Sequence, residues 1–377
     1  DMPQDKLTRI VDDMESDDAT DLIAELPQEQ AQHILGHIDK EDSEEVRELL
    51  KYDKETAGGI MQLELVAVGQ GSTVQDAIEH IRSSAGEVED LHHVFIVDDG
   101  EKLVGILPLR KLILASPAST VGSIMDPATI RVTPDVDQEK VADIFRKYDI
   151  VSLPVVEHDG TLLGRIMVDD VVDVIEKENS EDIMMMAGIP EEDLVYGSHI
   201  LAISRVRLPW LITNLFGGLL TGYLMWLFRV ALHEVLALVT FIPVITAMGG
   251  NIGIQSSSIM IRGFAIGRVD FTNLKRFLYK EIRIGLLMGV ACGLVAGCAA
   301  TLWHKDPVLG PIVALAMIIA ITTAACMGTL VPAFFKKLKI DPAIAAGPFV
   351  TTANDIVGII IYLGIATLFL KFLAQGG

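Results

Sequence analysis

The sequence predicts a multi-domain membrane protein with an α-helical N-terminal layer, tandem α/β units, a connecting helix and a transmembrane domain of about five helices. Three observations predict it. Charge divides the 377 residues into unlike halves: residues 1–204 hold 45 Asp and Glu against 16 Lys and Arg, a net −29, and residues 205–377 hold 6 against 14, a net +8. One pattern of strand, helix and hairpin occurs twice within the acidic half. Five stretches of the basic half approach the roughly 20 apolar residues that cross a hydrocarbon layer of about 30 Å.

Residues 1–57 show helical periodicity broken by Pro27, with apolar positions at Leu22, Ile23 and Leu26, at Ile34, Leu35 and Ile38, and at Val46, Leu49 and Leu50. A small helical domain is expected there. The repeat follows. Gly59-Ile60-Met61 returns as Ser123-Ile124-Met125, Val94 to Gly100 returns as Leu153 to Gly160, and Leu103-Val104-Gly105-Ile106 returns as Leu162-Leu163-Gly164-Arg165. Each copy offers a strand, an amphipathic helix (Val74 to Ile81; Val141 to Tyr148), a hairpin turning at Asp-Gly and a further helix. The two units are placed at 58–118 and 119–177, a connecting helix at 178–204 and the transmembrane domain at 205–377.

The spans are expected at Leu208 to Phe228, Val235 to Ile261, Ile284 to Leu302, Val308 to Phe335 and Ala343 to Phe372. Arg205 and Arg207 precede the first. Arg262, Arg268, Lys275, Arg276, Lys280 and Arg283 lie between the second and third, and Lys336, Lys337 and Lys339 follow the fourth. The opposite loops offer only Arg229, Lys305 and Lys371. Basic loops stay on the cytoplasmic side, so the acidic half is expected in the cytoplasm and the C-terminus outside, across the plasma membrane.

Several function classes are disfavoured. A net −29 half repels nucleic-acid phosphate and attracts cations, so no nucleic-acid partner is expected. Cys292, Cys298 and Cys326 fall in apolar segments and form no disulfide framework or thiolate metal site. His33, His37, His92 and His93 show no zinc-ligand spacing. The N-terminus lacks a basic-then-apolar signal peptide. No nucleophile–base constellation, phosphate-binding Gly-rich loop or His-Glu-x-x-His stands in the chain, so no enzyme is expected.

Two membrane motifs remain. Pro243 and the run Gly249-Gly250-Asn251-Ile252-Gly253-Ile254-Gln255-Ser256 interrupt the second span with glycines and amides, which points to broken helix facing a water-filled path. Close packing through small residues would explain the glycines but not the amides. The fifth span carries Pro348-Phe349-Val350-Thr351-Thr352-Ala353-Asn354-Asp355, and Asp355 reads as the one acidic residue within the apolar body of any span. A central charge costs about 2.5–3.5 kcal/mol on insertion scales, so such residues serve ion paths or proton relays. Asn251, Gln255, Thr351 and Asn354 would offer oxygen dipoles along the same path.

Carboxylates are dense around the second repeat and the connecting helix: Asp137, Glu139, Asp149, Asp169, Asp170, Asp173, Glu176, Glu178, Glu181 and Asp182. A second group, Asp17, Asp18 and Asp21, lies in the N-terminal helices. On one helix Asp170, Asp173 and Glu181 fall near one face and repel unless a cation sits between them. Composition alone favours a solvated acidic surface.

The repeat resembles a tandem pair of CBS domains. Such pairs often bind ATP or related nucleotides through Gly-x-x-Ser/Thr-x-x-Asp, but here Gly164 is followed by Met167 and Asp170, and Gly105 by Pro108 and Lys111. Neither copy supplies the hydroxyl, which leaves ATP a weakly supported cofactor. Helical layer, CBS pair, acidic connecting helix and five spans with Gly-Gly-Asn-x-Gly-x-Gln and Pro-x-x-x-Thr-x-x-Asp together resemble the MgtE family of Mg²⁺ channels. Thr56 to Met61, Leu208-Pro209-Trp210 and Lys280-Glu281-Ile282 match it too. The resemblance implies a homodimer in the lipid bilayer with a pore on its twofold axis. The second and fifth spans would line it, with Gly249 and Gly250 in the lining and Asp355 of both subunits facing hydrated Mg²⁺. It also implies a regulatory Mg²⁺ sensor at the carboxylates and a helix from Glu178 to Tyr196 acting as a plug. Two departures stand out: Ile254 occupies a position that is often polar in the family, and the N-terminal layer is short. The alternative is a CBS-regulated transporter of another divalent cation, Mn²⁺, Co²⁺ or Ni²⁺, or of another solute.

Overall fold

The computed structural model describes residues 4–84, 90–189, 200–234 and 236–369. The chain divides into two compact units, Asp1–Glu178 and Asn179–Gly377.

The first unit opens with four short helices, α1 (Gln4–Asp12), α2 (Ser16–Glu25), α3 (Gln28–Leu35) and α4 (Lys40–Leu49). Their apolar faces close on Val11, Ala19, Ile23, Ile34, Leu35, Ile38 and Val46. The first copy of the repeat then runs β1 (Ala67–Gly69), α5 (Val74–Ser83), β2 (His93–Val97), β3 (Leu103–Pro108) and α6 (Leu109–Leu114). Thr73 and Asp76 form a reciprocal capping box that starts α5. In the hairpin, Asp98 Oδ1 accepts from Gly100 N (2.9 Å) and Lys102 N (3.0 Å), so a carboxylate closes the turn. The second copy gives α7 (Val121–Ile124), β4 (Asp126–Pro127), α8 (Gln138–Tyr148), β5 (Ser152–Val156), β6 (Leu162–Met167) and α9 (Val168–Met186). Asp137 caps α8 by accepting from Glu139 N, and Asp149 ends it in the left-handed region at φ 51°.

The copies exchange their leading segments. β1 runs parallel to β2, and β3 pairs antiparallel with both β2 and β4, so Asp126 at the head of the second copy bonds opposite Ile106 of the first. Conversely, Gln62 at the head of the first copy bridges Arg165 on β6 of the second, and Val132 bridges Val155. At the exchanged bridge a Cβ on Gly164 would lie 2.6 Å from the Gln62 carbonyl oxygen, so only glycine admits that strand.

Among the described residues the second unit contains the last residues of α9 and seven further helices: α10 (Ile200–Leu227), α11 (Arg229–Glu234), α12 (Ala237–Ala265), α13 (Leu274–His304), α14 (Leu309–Lys337), α15 (Ala343–Ala346) and α16 (Pro348–Leu368). Among the described residues five segments are long and apolar enough to cross a membrane: Ile203–Leu227, α12, α13, α14 and Phe349–Leu368. Gly285, Gly289, Gly293 and Gly297 recur at every fourth residue of α13, and a Cβ on Gly289 would come within 3.0 Å of Ile318 Cα on α14. Small residues at that spacing let two helix backbones approach where no hydrophobic effect drives them together. Phe241, Ile245, Val313, Met317, Ile321 and Tyr362 form the centre of this unit.

Four expectations are corrected. The second span is unbroken: α12 is helical through Gly249–Ser256, because its glycines serve close packing on α16. A Cβ on Gly253 would strike the Asn354 side chain, and one on Gly250 would touch Thr351. The third span begins at Leu274 rather than Ile284, and the final membrane helix begins at Pro348, after a break at Gly347. The helix expected from Glu178 to Tyr196 ends at Met186, where Ala187 and a left-handed Gly188 (φ 79°) close it. The rest of that expected plug, residues 190–199, lies outside the described residues, as does the end of the fifth span beyond residue 369.

Candidate functional site

The membrane motifs meet where α12 faces α16. Asn354 is buried at 3% exposure, and both polar atoms of its amide lack a partner among the described residues. Unpartnered buried amides are costly, so this side chain is held by packing on Gly253 rather than by bonding. Gly249 and Gly250 are buried beside Asn354 and Thr351, and the Thr351 hydroxyl donates to Gly347 O at 2.9 Å. Asp355 follows Thr351 by one turn and is half-buried; among the described residues no Lys or Arg pairs with it. Asn251, Ile254 and Gln255 lie on the exposed side of α12. One chain therefore brings Asn354, Thr351, Gly249 and Gly250 together, and leaves Asn251 and Gln255 on an adjoining open face.

Sequence reasoning missed one member. Glu281 is 4% exposed within α13 and accepts from Ser256 Oγ at 2.9 Å, so a second carboxylate stands inside a span and is tied to α12. It was hidden because Arg276, Lys280 and Arg283 read as loop; the available signal was the Ser256 that ends the glycine-amide motif. Tyr362 OH donates to Leu238 O at 2.9 Å and adds a polar link between α16 and α12.

The end of α9 belongs to this unit. Met185 and Met186 pack with Ile261 of α12 and Ala343 of α15. Arg262 Nη1 donates to Asn179 Oδ1 at 2.8 Å, and Ser258 Oγ lies 3.6 Å from Met186 Sδ. Glu181 and Asp182 are half-buried in these last turns.

Within the first unit, two carboxylate groups that are distant in sequence meet. Ser16 fixes the start of α2 by donating its N–H (2.8 Å) and hydroxyl (2.7 Å) to Glu64, and Gln62 Nε2 donates to Glu15 at 2.8 Å. That places Asp17, 7% exposed, within the field of Asp170 in the first turn of α9. Burial and then the charges of Asp17 and Asp169 push Asp170 up to about 8. Burial first, with Asp18 and Glu15 adding, pushes Asp17 up to about 7. Glu15 is raised by burial and Glu64, and Asp21 by burial with Lys177 opposing. Arg165 is 2% exposed and donates Nη1 to Asp90 O at 2.6 Å, while its Nε and Nη2 find no partner among the described residues.

The remaining candidates are dispersed. Asp137 caps α8, Glu139, Asp149 and Asp173 are exposed, and Glu178 accepts from Gln138 Nε2 at 2.5 Å. Among the described residues no three His, Cys, Asp or Glu side chains converge to hold a metal ion. At the nucleotide-like motifs, Asp170 accepts from Met167 N at 3.2 Å, and Lys111 pairs with Asp126 at 2.6 Å.

Comparison with known proteins matches residues 242–365 to the MgtE divalent cation transporters, residues 1–55 to the MgtE intracellular N domain, and residues 57–118 and 121–177 to CBS domains. The magnesium transporter MgtE of Thermus thermophilus is 36% identical over 89% of this chain and 74% of its own length. That of Bacillus subtilis is 36% identical over 98% of this chain and 81% of its own. The chain belongs to the MgtE family. Among solved structures, the soluble part of a magnesium transporter is 35% identical over 47% of this chain and 69% of that one, at a TM-score of 0.45. The cytosolic domain of the Mg²⁺ channel MgtE in complex with ATP is 37% identical over 46% and 71%, at 0.44. The MgtE match spans α12 to α16, the helices that carry every pathway residue named above.

The raised carboxyls predict a pH dependence. Asp17 and Asp170 titrate at about 7 and about 8 in the fold against an ordinary 3.8, so between those values the folded unit binds more protons than the unfolded chain. Stability therefore falls as pH rises from about 4 to about 8. Burial lowers His93 from 6.5 and acts in the opposite sense below that value, so the comparison is with a variant. In chelator, thermal melting of Asp170→Asn should lose much of the downward slope that the wild type shows above pH 6.5; equal slopes would contradict the burial of this charge.

Proposed function

We propose that the chain is a Mg²⁺-selective channel of the plasma membrane, acting as a homodimer, with the first unit cytoplasmic, the C-terminus outside and cytoplasmic Mg²⁺ closing the path. The observation that carries it is Asp355, a half-buried carboxylate in an apolar helix without a basic partner among the described residues. A charge in that position is uncompensated until a cation arrives. Mg²⁺ is small and dehydrates reluctantly, so a carboxylate with nearby amide and hydroxyl dipoles can hold the ion through its waters. The open stripe of Asn251, Ile254 and Gln255 suits a second copy across a twofold axis, which would bring two Asp355 residues to one path. The apolar Ile254 removes one polar contact from that lining, which leaves Asp355 dominant in selectivity.

Gating follows from the carboxylates of the first unit and α9. At low Mg²⁺ Asp17, Asp21, Asp137, Glu139, Asp149, Asp170, Asp173, Glu178, Glu181 and Asp182 repel, and α9 moves away from the pore helices. At high Mg²⁺ ions bind these groups and the end of α9 stays packed on α12 and α15. Turning a 1:99 open ratio into 99:1 takes about 5.5 kcal/mol of differential binding, which several modest sites supply more readily than one. A nucleotide such as ATP is a secondary regulator on this reading, since neither CBS copy supplies the hydroxyl. Other divalent ions, Mn²⁺, Co²⁺ and Ni²⁺, are competing cargo. Their transport in preference to Mg²⁺ would favour the second reading, a CBS-regulated transporter of another cation.

Asp355→Ala should lower Mg²⁺ uptake into proteoliposomes at least about tenfold if the buried charge contributes about 1.4 kcal/mol or more. Normal uptake by a folded variant would remove Asp355 from the path. Neutralising Asp170, Asp173, Glu178 and Glu181 together should leave channels open at millimolar Mg²⁺ in inside-out patches. Unchanged inhibition would assign the sensor to other residues and leave the pore assignment standing.

A further inference from the structure

We propose that the cavity at the start of α13 binds the headgroup of an anionic phospholipid. Arg276, Lys280 and Arg283 occupy one stripe of the first turns of α13, and Arg268 joins them from the preceding loop around an open cavity of about 850 Å³. Among the described residues none of these four cations makes an ion pair. The nearest acids in sequence are committed elsewhere. Asp270 accepts from Thr272 N (2.9 Å), Thr272 Oγ1 (2.7 Å) and Asn273 N (2.9 Å), and Glu281 turns inward to Ser256.

Arg276 also stands in the first turn of α13, at the positive end of the helix dipole, where positive charge is disfavoured. An anion in the cavity offsets both costs at once. The same stripe continues into Ile284 and Leu287, the latter 73% exposed, while the opposite face of the helix buries its glycines on α14. Basic groups directly above a lipid-facing apolar stripe match a phosphodiester headgroup joined to an acyl chain, and Tyr279 at the cavity edge suits the membrane interface. A free phosphate would use only the upper half of this surface. Glu281 directly follows Lys280 and ties α13 to Ser256 of α12, so a seated lipid would steady α13 against α12.

Native mass spectrometry of the detergent-purified full chain, titrated with phosphatidylglycerol or phosphatidylcholine, tests this. The wild type should retain phosphatidylglycerol preferentially, and R276Q/R283Q should lose that preference by about tenfold or more. K337Q/K339Q, with the same change of net charge at another basic loop, should keep it. Equal loss in both variants, or no preference in the wild type, overturns the proposal. Displacement of phosphatidylglycerol by millimolar inorganic phosphate would also overturn it, in favour of a free-anion site. If R276Q/R283Q fails to fold, p-benzoylphenylalanine at position 279 provides the decision on a chain that keeps every cation. It should crosslink phosphatidylglycerol over phosphatidylcholine, and equal crosslinking overturns the proposal.

Discussion

Negative charge held where water cannot fully hydrate it is the constraint on which the rest of this molecule depends. Asp17 and Asp170 crowd one buried interface of the first unit, and Asp355 and Glu281 lie within membrane helices. Arg165 is the buried cation in the field of Glu15, Glu64, Asp90 and Asp170, and its own donors are only partly satisfied among the described residues. Buried charges without partners cost several kcal/mol each on general grounds, roughly 3–5 kcal/mol when a pair is broken. At Asp17 and Asp170, raised to about 7 and about 8, the fold meets this cost by holding protons, which a bound cation or a rise in pH displaces.

Local structure eases the same cost. Asp17 and Asp170 both sit in the first turn of a helix, where the dipole favours negative charge. Ser16, Glu64 and Gln62 stitch the start of α2 to the segment that leads into the repeat, and that same segment pairs with β6 of the other copy at Arg165. The exchange of leading strands therefore draws the N-terminal helices to the second copy, whose β6 runs directly into α9. Farther along, Met185, Met186 and Asn179 on the end of α9 contact the helix that carries the glycine-amide motif. α9 thus carries Asp170 in its first turn, within the first unit, and its last turns pack on the membrane helices of the second.

Much of this was legible in the sequence, for identifiable reasons. The five spans and the repeat are signals of local composition and recurrence, and those survive without tertiary information. The misread features all depended on contacts. Gly249 to Gly253 looked like a helix break because isolated glycine weakens a helix, yet packing on Asn354 and Thr351 holds α12 straight. Arg276, Lys280 and Arg283 resembled a loop because charge interrupts hydropathy, whereas they form the exposed stripe of a helix whose other face is apolar. That error concealed Glu281. The exchanged strands pair over only one or two residues, too few for any periodicity. The meeting of Asp17 with Asp170 joins segments at opposite ends of the first unit, and no spacing rule connects them.

The central claim is that this path conducts Mg²⁺ as a charged ion. A divalent cation crossing the membrane gains about 4.6 kcal/mol per 100 mV from the potential. The most direct measurement is Mg²⁺ entry into proteoliposomes loaded with a Mg²⁺-sensitive dye, with and without an inside-negative potassium diffusion potential. Entry above that of protein-free vesicles, accelerated by the potential, is the predicted result. Entry no faster than in protein-free vesicles at either potential would contradict the account.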